Sequence, residues 1–375
     1  MSETRSLSKT KRSVFFIVLL LGLPVLLLFL VEGSVSLLMF GRDYRNQQTP
    51  RNSRPHTTYD TLLGWVNRPG SSNPDEYGKG IGLTTNGLGF RGSSVVNVSD
   101  TTTPRLVCSG DSFTLGYGVA DEQTWCHLLE SYFPGLQTLN MGQGAYGLDQ
   151  AFLWYRRDGV PVPHRYTVFS MTYVEMERTV TSSFMGRFKP TLAVKDGALR
   201  AENVPVPPQT DESLRRAYAN RLFNNLRIVQ ALRRLPAFEG TAGTTQMMRT
   251  IWPTFDRTFA ELDSLNRARG SELVLAYLPT RADLSPGPLD ERRVNIAKFA
   301  EAHHVRFIDL TPALRAMRGD SADLSFISKI PAGAAPGVGG HYTKLGNAWA
   351  ARELASRLRD IPALNALSRN AGAWQ

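Results

Sequence analysis

The sequence predicts an α/β protein in which helices cover both faces of a parallel sheet, giving three layers (α/β/α), preceded by one transmembrane helix. Three observations lead to this prediction. Five short apolar segments alternate with helical patterns, an apolar run of eighteen residues lies near the N-terminus, and small or polar residues follow the apolar segments. Apolar strands separated by helices form parallel sheets that are covered on both faces. A chain of 375 residues is long enough to bury such a core.

The composition excludes several classes of protein. With 42% hydrophobic and 20% charged residues, the chain is neither disordered nor collagen-like nor a coiled coil. Two cysteines without a C-x-x-C pattern are too few for a disulfide scaffold or a zinc cluster. No nucleotide loop or cofactor motif is present, so we expect no cofactor. The net charge of +10 is scattered along the chain rather than clustered with aromatic residues, which predicts a solvated basic surface and no nucleic-acid partner.

The apolar run occupies residues 14–31 and reads VFFIVLLLGLPVLLLFLV. A helix of that length spans about 27 Å, enough for the hydrocarbon core of a bilayer. Lys9, Lys11 and Arg12 precede it, so the N-terminus is expected to stay in the cytoplasm while the remainder crosses. A cleaved signal peptide is the alternative, but its apolar region would be shorter and would end at an A-x-A site, which is absent here.

This reading predicts a single-pass protein of the bacterial inner membrane with a periplasmic C-terminal domain. We divide the chain into a cytoplasmic tail (1–12), a transmembrane anchor (13–31), a linker (32–58), a folded domain (59–360) with a helical insertion (176–266), and a C-terminal tail (361–375). In an oxidising compartment Cys108 and Cys126 could pair, although their apolar surroundings equally suit buried thiols.

The predicted sheet strands share an apolar character and a length of four to eight residues: RLVCSG (105–110), LQTLNM (136–141), YTVFSM (166–171), ELVLAYLP (272–279) and VRFIDL (305–310). The predicted helices between and after them cover residues 121–132, 148–157, 289–303 and 345–358. Within the insertion we predict a hairpin turning at residues 195–197 and helices over residues 211–235 and 245–269. Ahead of the first strand lie two short strand-like pieces, LLGWVNRPGS (62–71) and GLTTNGLGFRG (82–92).

Three segments carry residue types suited to catalysis, and each follows a strand or precedes a helix. Ser112 stands directly after the first strand in Gly-Asp-Ser, where its hydroxyl can project at the sheet edge, although this tripeptide is also common in turns. After the second strand, residues 140–147 read NMGQGAYG, and small residues there can present backbone N–H donors. His341 lies in a glycine-rich loop before the last helix, a suitable place for a general base.

Taken together, these three segments resemble the SGNH (GDSL-type) hydrolase superfamily, over about residues 59–358. In that superfamily Gly-Asp-Ser opens the domain on the first strand, a glycine loop follows the second, an Asn-Asp pair follows the third, and Asp-x-x-His closes the domain. The resemblance implies a flavodoxin-like sheet. The LGW…NRPG…TTNGLGFRG segment is similar to that of membrane-anchored members linked to O-acylation of bacterial envelope polysaccharides.

The resemblance assigns roles to individual residues. Ser112 is the expected nucleophile and His341 the expected base. The oxyanion hole is expected to use the backbone N–H groups of Ser112 and Ala145, or of Gly144 if the loop aligns one residue earlier. Asp111 is expected to act structurally.

The sequence departs from the superfamily pattern at three places. Ala145 stands where the glycine that forms the oxyanion hole is usual. Val174 stands where the side-chain donor Asn is expected, and Val338 and Gly339 stand where the acid before His341 is expected. A substitute acid would have to come from elsewhere, and the candidates are Glu175, Asp149, Asp320 and Asp323.

The function predicted from these features is a membrane-anchored serine esterase or O-acyltransferase acting on acyl esters, mainly acetyl esters, of an envelope or secreted polysaccharide. Its partners would be the acylated glycan, the inner membrane and, for a transferase, a membrane protein that delivers acyl groups. One alternative is a catalytically impaired polysaccharide-binding or assembly protein, with Tyr146, Tyr173 and Tyr342 stacking on sugars. Another is a lipid esterase or thioesterase.

Overall fold

The structure is a computed structural model that describes residues 9–47, 56–184, 186–210, 212–213, 241–287, 289–317, 321–329 and 338–370. The chain divides into two compact units, one comprising residues 1–52 and 210–244 and the other residues 53–209 and 245–375. The predicted helix over 211–235 lies almost entirely outside the described residues.

The first element is a helix, α1 (Lys9–Gln47), whose segment Phe15–Leu38 has a mean hydropathy of 2.8. By length and composition this segment can be a membrane span or a signal sequence. The helix runs further than the predicted anchor and covers part of the predicted linker. The Glu32–Gly33 step does not end it, because one glycine costs a helix only about 1 kcal/mol and an apolar stretch resumes after it.

The strands of the second unit, in chain order, are β1 (Thr57–Asp60), β2 (Gly64–Asn67), β3 (Ser72–Asn73), β4 (Leu83–Thr84), β5 (Arg105–Gly110), β6 (Gln137–Gly142), β7 (Tyr166–Met171), β8 (Ser183–Phe184), β9 (Arg187–Phe188), β10 (Thr191–Lys195), β11 (Ala198–Glu202), β12 (Glu272–Tyr277) and β13 (Arg306–Asp309). The α-helices after α1 are α2 (Ser112–Leu115), α3 (Trp125–Tyr132), α4 (Leu148–Trp154), α5 (Tyr173–Arg178), α6 (Thr241–Ala268), α7 (Asp290–His303), α8 (Thr311–Arg315), α9 (Ser321–Leu324), α10 (Lys344–Leu358) and α11 (Pro362–Asn370). Short 3₁₀ turns cover Asp121–Gln123 and Arg281–Leu284, and a π turn, Tyr155–Gly159, extends α4.

Five parallel strands form the central sheet in the order β6-β5-β7-β12-β13. Numbered along the chain, this is the 2-1-3-4-5 order of a flavodoxin-like sheet. All five are the strands expected from the apolar runs, and the predicted three-layer α/β/α fold is confirmed. The insertion also contains the expected hairpin, with β10 and β11 paired across Asp196 and Gly197.

Alternate residues of each strand face opposite layers, as the two-residue period of a strand requires. Val107 of β5 packs in one core with Phe152 of α4 and Phe259 of α6. Its neighbours Leu106 and Cys108 pack in a second core with α3 and α10. The predicted C-terminal tail joins this second core, because Ile361 and Leu364 are buried in it.

Cys108 of β5 and Cys126 of α3 form a disulfide, with their Cα atoms 6.2 Å apart. The structure therefore favours pairing over two buried thiols. The bond links strand β5 of the sheet to helix α3, which packs against it.

Candidate active site

The segment that carries Ser112 begins where β5 ends at the carboxyl edge of the sheet. Gly110 has φ 157°, and a Cβ there would lie 2.5 Å from the hydroxyls of both Ser170 and Thr114, so only glycine fits. Asp111 caps α2 by accepting a hydrogen bond of 2.8 Å from the N–H of Phe113. Ser112 is thereby fixed as the first residue of a short helix, at the switch point between β5 and β7 where ligands bind in such sheets.

His341 lies opposite Ser112, in the loop that precedes α10. Its Nε2 is 2.8 Å from Ser112 Oγ, and its Nδ1 is 3.2 Å from the backbone oxygen of Val338. A carbonyl oxygen only accepts hydrogen bonds, so Nδ1 carries the hydrogen and Nε2 is left to accept from the Ser112 hydroxyl. This is the tautomer that a general base for Ser112 requires.

Two aromatic rings flank the imidazole of His341. The ring centroid of Phe113 is 4.9 Å away and that of Tyr117 is 5.1 Å away. Such packing restricts the rotation of the imidazole, so the orientation of His341 is held by ring contacts as well as by its hydrogen bonds.

The candidate acids have other surroundings in the described part of the chain. Asp149 forms a fully buried ion pair with Lys189, and burial raises the pKa of its carboxyl to about 6. Asp323 pairs with Arg281 at 2.6 Å, and both are exposed. Asp320 lies outside the described residues. Among the described residues, His341 Nδ1 contacts the carbonyl of Val338. A backbone partner of this kind cannot be inferred from a sequence pattern of acidic residues.

Glu175 is fully buried, and neither of its carboxylate oxygens has a hydrogen-bond partner among the described residues. Burial, together with the nearby charge of Asp111, raises the pKa of Glu175 well above its usual value. It is therefore not hydrogen-bonded to His341. Asp111 caps α2 through one carboxylate oxygen, and its second oxygen lies 3.1 Å from Arg178 Nη1.

The backbone N–H groups of Ser112 and of Ala145 have no hydrogen-bond acceptor in the described residues. The N–H of Gly144 is already donated to the side-chain oxygen of Gln143 at 2.7 Å. The geometry therefore favours Ala145 over Gly144 as the second oxyanion donor. Ala145 has φ 67°, in the left-handed region that favours glycine.

This strained backbone makes a prediction for Ala145. Left-handed geometry costs an alanine about 1 kcal/mol, while glycine loses about as much through its freer unfolded chain. We expect Ala145→Gly to change the free energy of unfolding by less than about 0.5 kcal/mol and to leave turnover unchanged, because the N–H stays. Ala145→Val should cost about 1–3 kcal/mol, because a β-branched residue is strained there. Denaturant unfolding of the two variants checks this, and equal stabilities would contradict the assigned geometry.

Val174 is the second residue of α5 and half-buried. Its side chain has no donor, so this position cannot supply the third hydrogen bond of the superfamily pattern. Removing one such donor typically costs about 10²–10³-fold in turnover.

The short strand β2 supports the loop that follows β6, residues 143–147, a role that sequence reasoning did not assign. Trp65 Nε1 donates to the carbonyl of Gly144 at 3.0 Å, and Asn67 Oδ1 accepts from the side chain of Gln143 at 2.7 Å. The Tyr146 hydroxyl donates to the carbonyl of Trp65. These bonds hold the loop in the conformation that leaves the Ala145 N–H unused.

Arg91 supports the short helix α2, which carries Ser112, in a similar way. Its buried guanidinium donates to the carbonyls of Leu115, Gly116 and Val119 and pairs with Asp121 at 2.8 Å. The carbonyls at the end of α2 thus have side-chain donors, as buried backbone groups require. The sequence carries no signal for this, because the partners are backbone atoms 24 to 28 residues away.

We expect Arg91→Lys to lower the free energy of unfolding by about 1–2 kcal/mol, because one ammonium cannot reproduce the directions of a guanidinium. Turnover should fall with it, since α2 carries Ser112. Arg68→Lys, at an exposed arginine that also lies in the chain before β5, is the matched control. Thermal unfolding compares the two variants. Equal melting temperatures for both would mean that Arg91 does not hold α2.

Two of the three tyrosines considered for sugar stacking cannot stack. Tyr146 is 0% and Tyr342 2% exposed, so both pack in the cores. Their hydroxyls are satisfied by backbone carbonyls, that of Tyr342 by Pro279. Aromatic side chains from other segments of the two cores pack around both rings. Tyr173 is half-buried with Arg292 over its ring.

Comparisons with known proteins give only remote similarities. No family model and no curated protein matches the chain. Among solved structures, a lipolytic protein of the G-D-S-L family from Veillonella parvula is 13% identical, with a TM-score of 0.36, covering 66% of this chain and 94% of that one. A lipase/acylhydrolase from Enterococcus faecalis is 12% identical, with a TM-score of 0.39, covering 68% and 96%. An acetyl xylan esterase is also 12% identical, with a TM-score of 0.39, covering 68% and 99%. Similarities with TM-scores below 0.5 do not show the activity of this chain. Its activity has to be inferred from the geometry of its own residues.

Proposed function

We propose that this chain is a serine ester hydrolase. The observation that carries the proposal is the 2.8 Å approach of Ser112 Oγ to His341 Nε2 at the carboxyl edge of the sheet. The unused N–H groups of Ser112 and Ala145 support it, because an acyl-transfer site needs donors for a developing oxyanion.

In the proposed reaction Ser112 Oγ bonds to the acyl carbon while its proton passes to His341 Nε2. The carbonyl oxygen becomes an oxyanion facing the N–H groups of Ser112 and Ala145. When the ester C–O bond breaks, the leaving alkoxide takes the proton from His341. Water then attacks the acyl carbon while His341 Nε2 takes its proton. The bond between the acyl carbon and Ser112 Oγ breaks, Oγ regains a proton from His341, and the carboxylic acid leaves. A sugar hydroxyl in place of water would make the same site a transferase.

We further propose that the enzyme is anchored in the bacterial inner membrane with its catalytic unit in the periplasm. Basic residues precede the apolar segment of α1, which favours a cytoplasmic N-terminus. The Cys108–Cys126 disulfide is in keeping with an oxidising compartment.

The proposed substrate is an acylated, mainly O-acetylated, envelope or secreted polysaccharide. This substrate class is proposed because residues 63–92 (LGW…NRPG…TTNGLGFRG) resemble the corresponding segment of membrane-anchored SGNH members. The proposed anchor would also keep the enzyme beside the envelope. In the transferase form, a membrane protein would have to bring acyl groups from the cytoplasm, because a single helix cannot form a transport path.

One observation favours the alternative of a polysaccharide-binding protein that retains the fold. Val174 leaves the oxyanion hole without a side-chain donor. The hydrogen-bonded Ser112–His341 pair favours the enzyme, because a binding protein does not need it.

The test uses the full-length chain purified in detergent, with Ser112→Ala as its control. Acetate release from O-acetylated xylan is compared with hydrolysis of p-nitrophenyl acetate and p-nitrophenyl palmitate. We expect acetate release and acetyl-ester hydrolysis that both disappear in Ser112→Ala. Preference for palmitate would indicate the lipid esterase. Polysaccharide binding without any Ser112-dependent turnover would contradict the proposed activity.

A further inference from the structure

Arg178, the last residue of α5, lies beside both parts of the candidate oxyanion hole. Its Nη1 is 3.1 Å from Asp111 Oδ2 and 2.9 Å from the carbonyl oxygen of Tyr146. The ring of Phe184 stacks on the guanidinium at 5.0 Å. The side chain is only 12% exposed.

The positions of these two partners in the chain give the contact its significance. Asp111 directly precedes Ser112, and Tyr146 directly follows Ala145. A single nitrogen of Arg178 therefore ties together the two segments whose N–H groups are unused. If the two segments moved apart, one oxyanion could not accept from both donors, and a displacement of about 1 Å can cost about 10²-fold in rate.

The charges of Asp111 and Arg178 also support a role for Arg178 in the site. Asp111 is 1% exposed and adjoins the nucleophile, so its negative charge opposes the formation of an oxyanion nearby. Arg178 pairs with that carboxylate and offsets the repulsion. Its Nε is buried without a hydrogen-bond partner among the described residues, which costs stability.

We propose that Arg178 is a positioning residue that fixes the spacing of the Ser112 and Ala145 donors and neutralises Asp111, and so compensates for the missing side-chain donor at Val174. This inference rests on the proposed ester-hydrolase function. Arg178 acts through its neighbours and is not assigned a contact with the substrate.

The test replaces Arg178 with methionine and with lysine in the full-length chain. Arg178→Met should lower kcat for p-nitrophenyl acetate about 10–100-fold, with KM changed less than about 3-fold, because the loss concerns the oxyanion rather than the bound ester. Arg178→Lys should stay within about 5-fold of the wild type, because one nitrogen makes both contacts and a single ammonium, with three N–H donors, can make the same two.

Arg292→Met is the matched control, since Arg292 holds the same helix from another side. It pairs with Glu177 at 2.9 Å and donates to the carbonyl of Tyr173. Turnover is expressed per active site titrated with a fluorophosphonate, so a smaller folded fraction does not lower kcat. We expect Arg292→Met to lower the melting temperature without lowering kcat.

Three results would overturn the inference. These are equal losses of kcat in Arg178→Met and Arg292→Met, a loss confined to KM, and an Arg178→Lys variant no better than Arg178→Met. Each leaves the ester-hydrolase function intact if the wild type turns over and Ser112→Ala does not. A wild type without Ser112-dependent turnover would instead contradict the proposed function and the inference together.

Discussion

Ser112→Ala and His341→Ala should each reduce ester turnover at least about 10³-fold. Ser112 provides the oxygen that bonds to the acyl carbon, and alanine has none. Without His341, nothing at 2.8 Å removes the Ser112 proton, and a neutral hydroxyl is a weak nucleophile.

The double variant should be about as inactive as the Ser112→Ala variant. If Ser112 and His341 act together, either single substitution already removes the rate enhancement that the pair provides. Independent roles would instead multiply the two losses. The measurement is turnover of p-nitrophenyl acetate by the full-length chain at one pH, with folding checked by circular dichroism.

Ser131→Ala and His127→Gln are the matched controls for these variants. Both residues lie on α3, with Ser131 exposed and the side chain of His127 48% exposed. They should leave turnover unchanged. A control that lost activity to the same extent would mean that the assay reports general damage rather than the Ser112–His341 pair.

Gly142→Ala should both destabilise the protein and disable the site. Gly142 ends β6, and a Cβ there would overlap the backbone of α2 at Leu115 and Thr114. The methyl group meets main chain rather than a flexible side chain, so α2 must move. Overpacking of this kind costs about 3 kcal/mol, or roughly 5–10 °C in melting temperature.

The displaced helix carries Ser112, so turnover should fall by about 10²-fold or more even in the folded fraction. Gly87→Ala is the control, because Gly87 is exposed and no atom lies within 4 Å of the position that an added methyl group would take. Thermal unfolding and turnover are measured for both variants. A Gly142→Ala protein as stable and active as Gly87→Ala would contradict the contact between β6 and α2.

Much of the fold could be predicted, because buried parallel strands appear in a sequence as apolar runs between helices. The five sheet strands and the β10–β11 hairpin follow from such patterns. The first and last residues of the helices are harder to predict from the sequence. Helix α1 continues past Glu32, and α11 forms in the predicted C-terminal tail. Single glycines and charges are weak signals for where a helix ends.

The candidate site was predictable only where side chains carry its chemistry. Ser112 and His341 stand in recognisable segments, and the structure brings them together. The carbonyl of Val338 is a backbone group, and the positive φ of Ala145 is a backbone angle. Neither can be inferred from the residue type. Arg91 and Arg178 could not be distinguished from other arginines, because their contacts are made across long sequence separations.

The most direct test of the central claim is covalent labelling by a fluorophosphonate, which reacts with activated serines. The full-length chain and the Ser112→Ala, His341→Ala and Ser131→Ala variants are labelled, and the modified peptide is identified by mass spectrometry. We expect labelling at Ser112 in the wild type and in Ser131→Ala, none in Ser112→Ala, and strongly slowed labelling in His341→Ala. A folded wild-type protein that stays unlabelled, or label that persists in Ser112→Ala, would contradict the activation of Ser112 by His341.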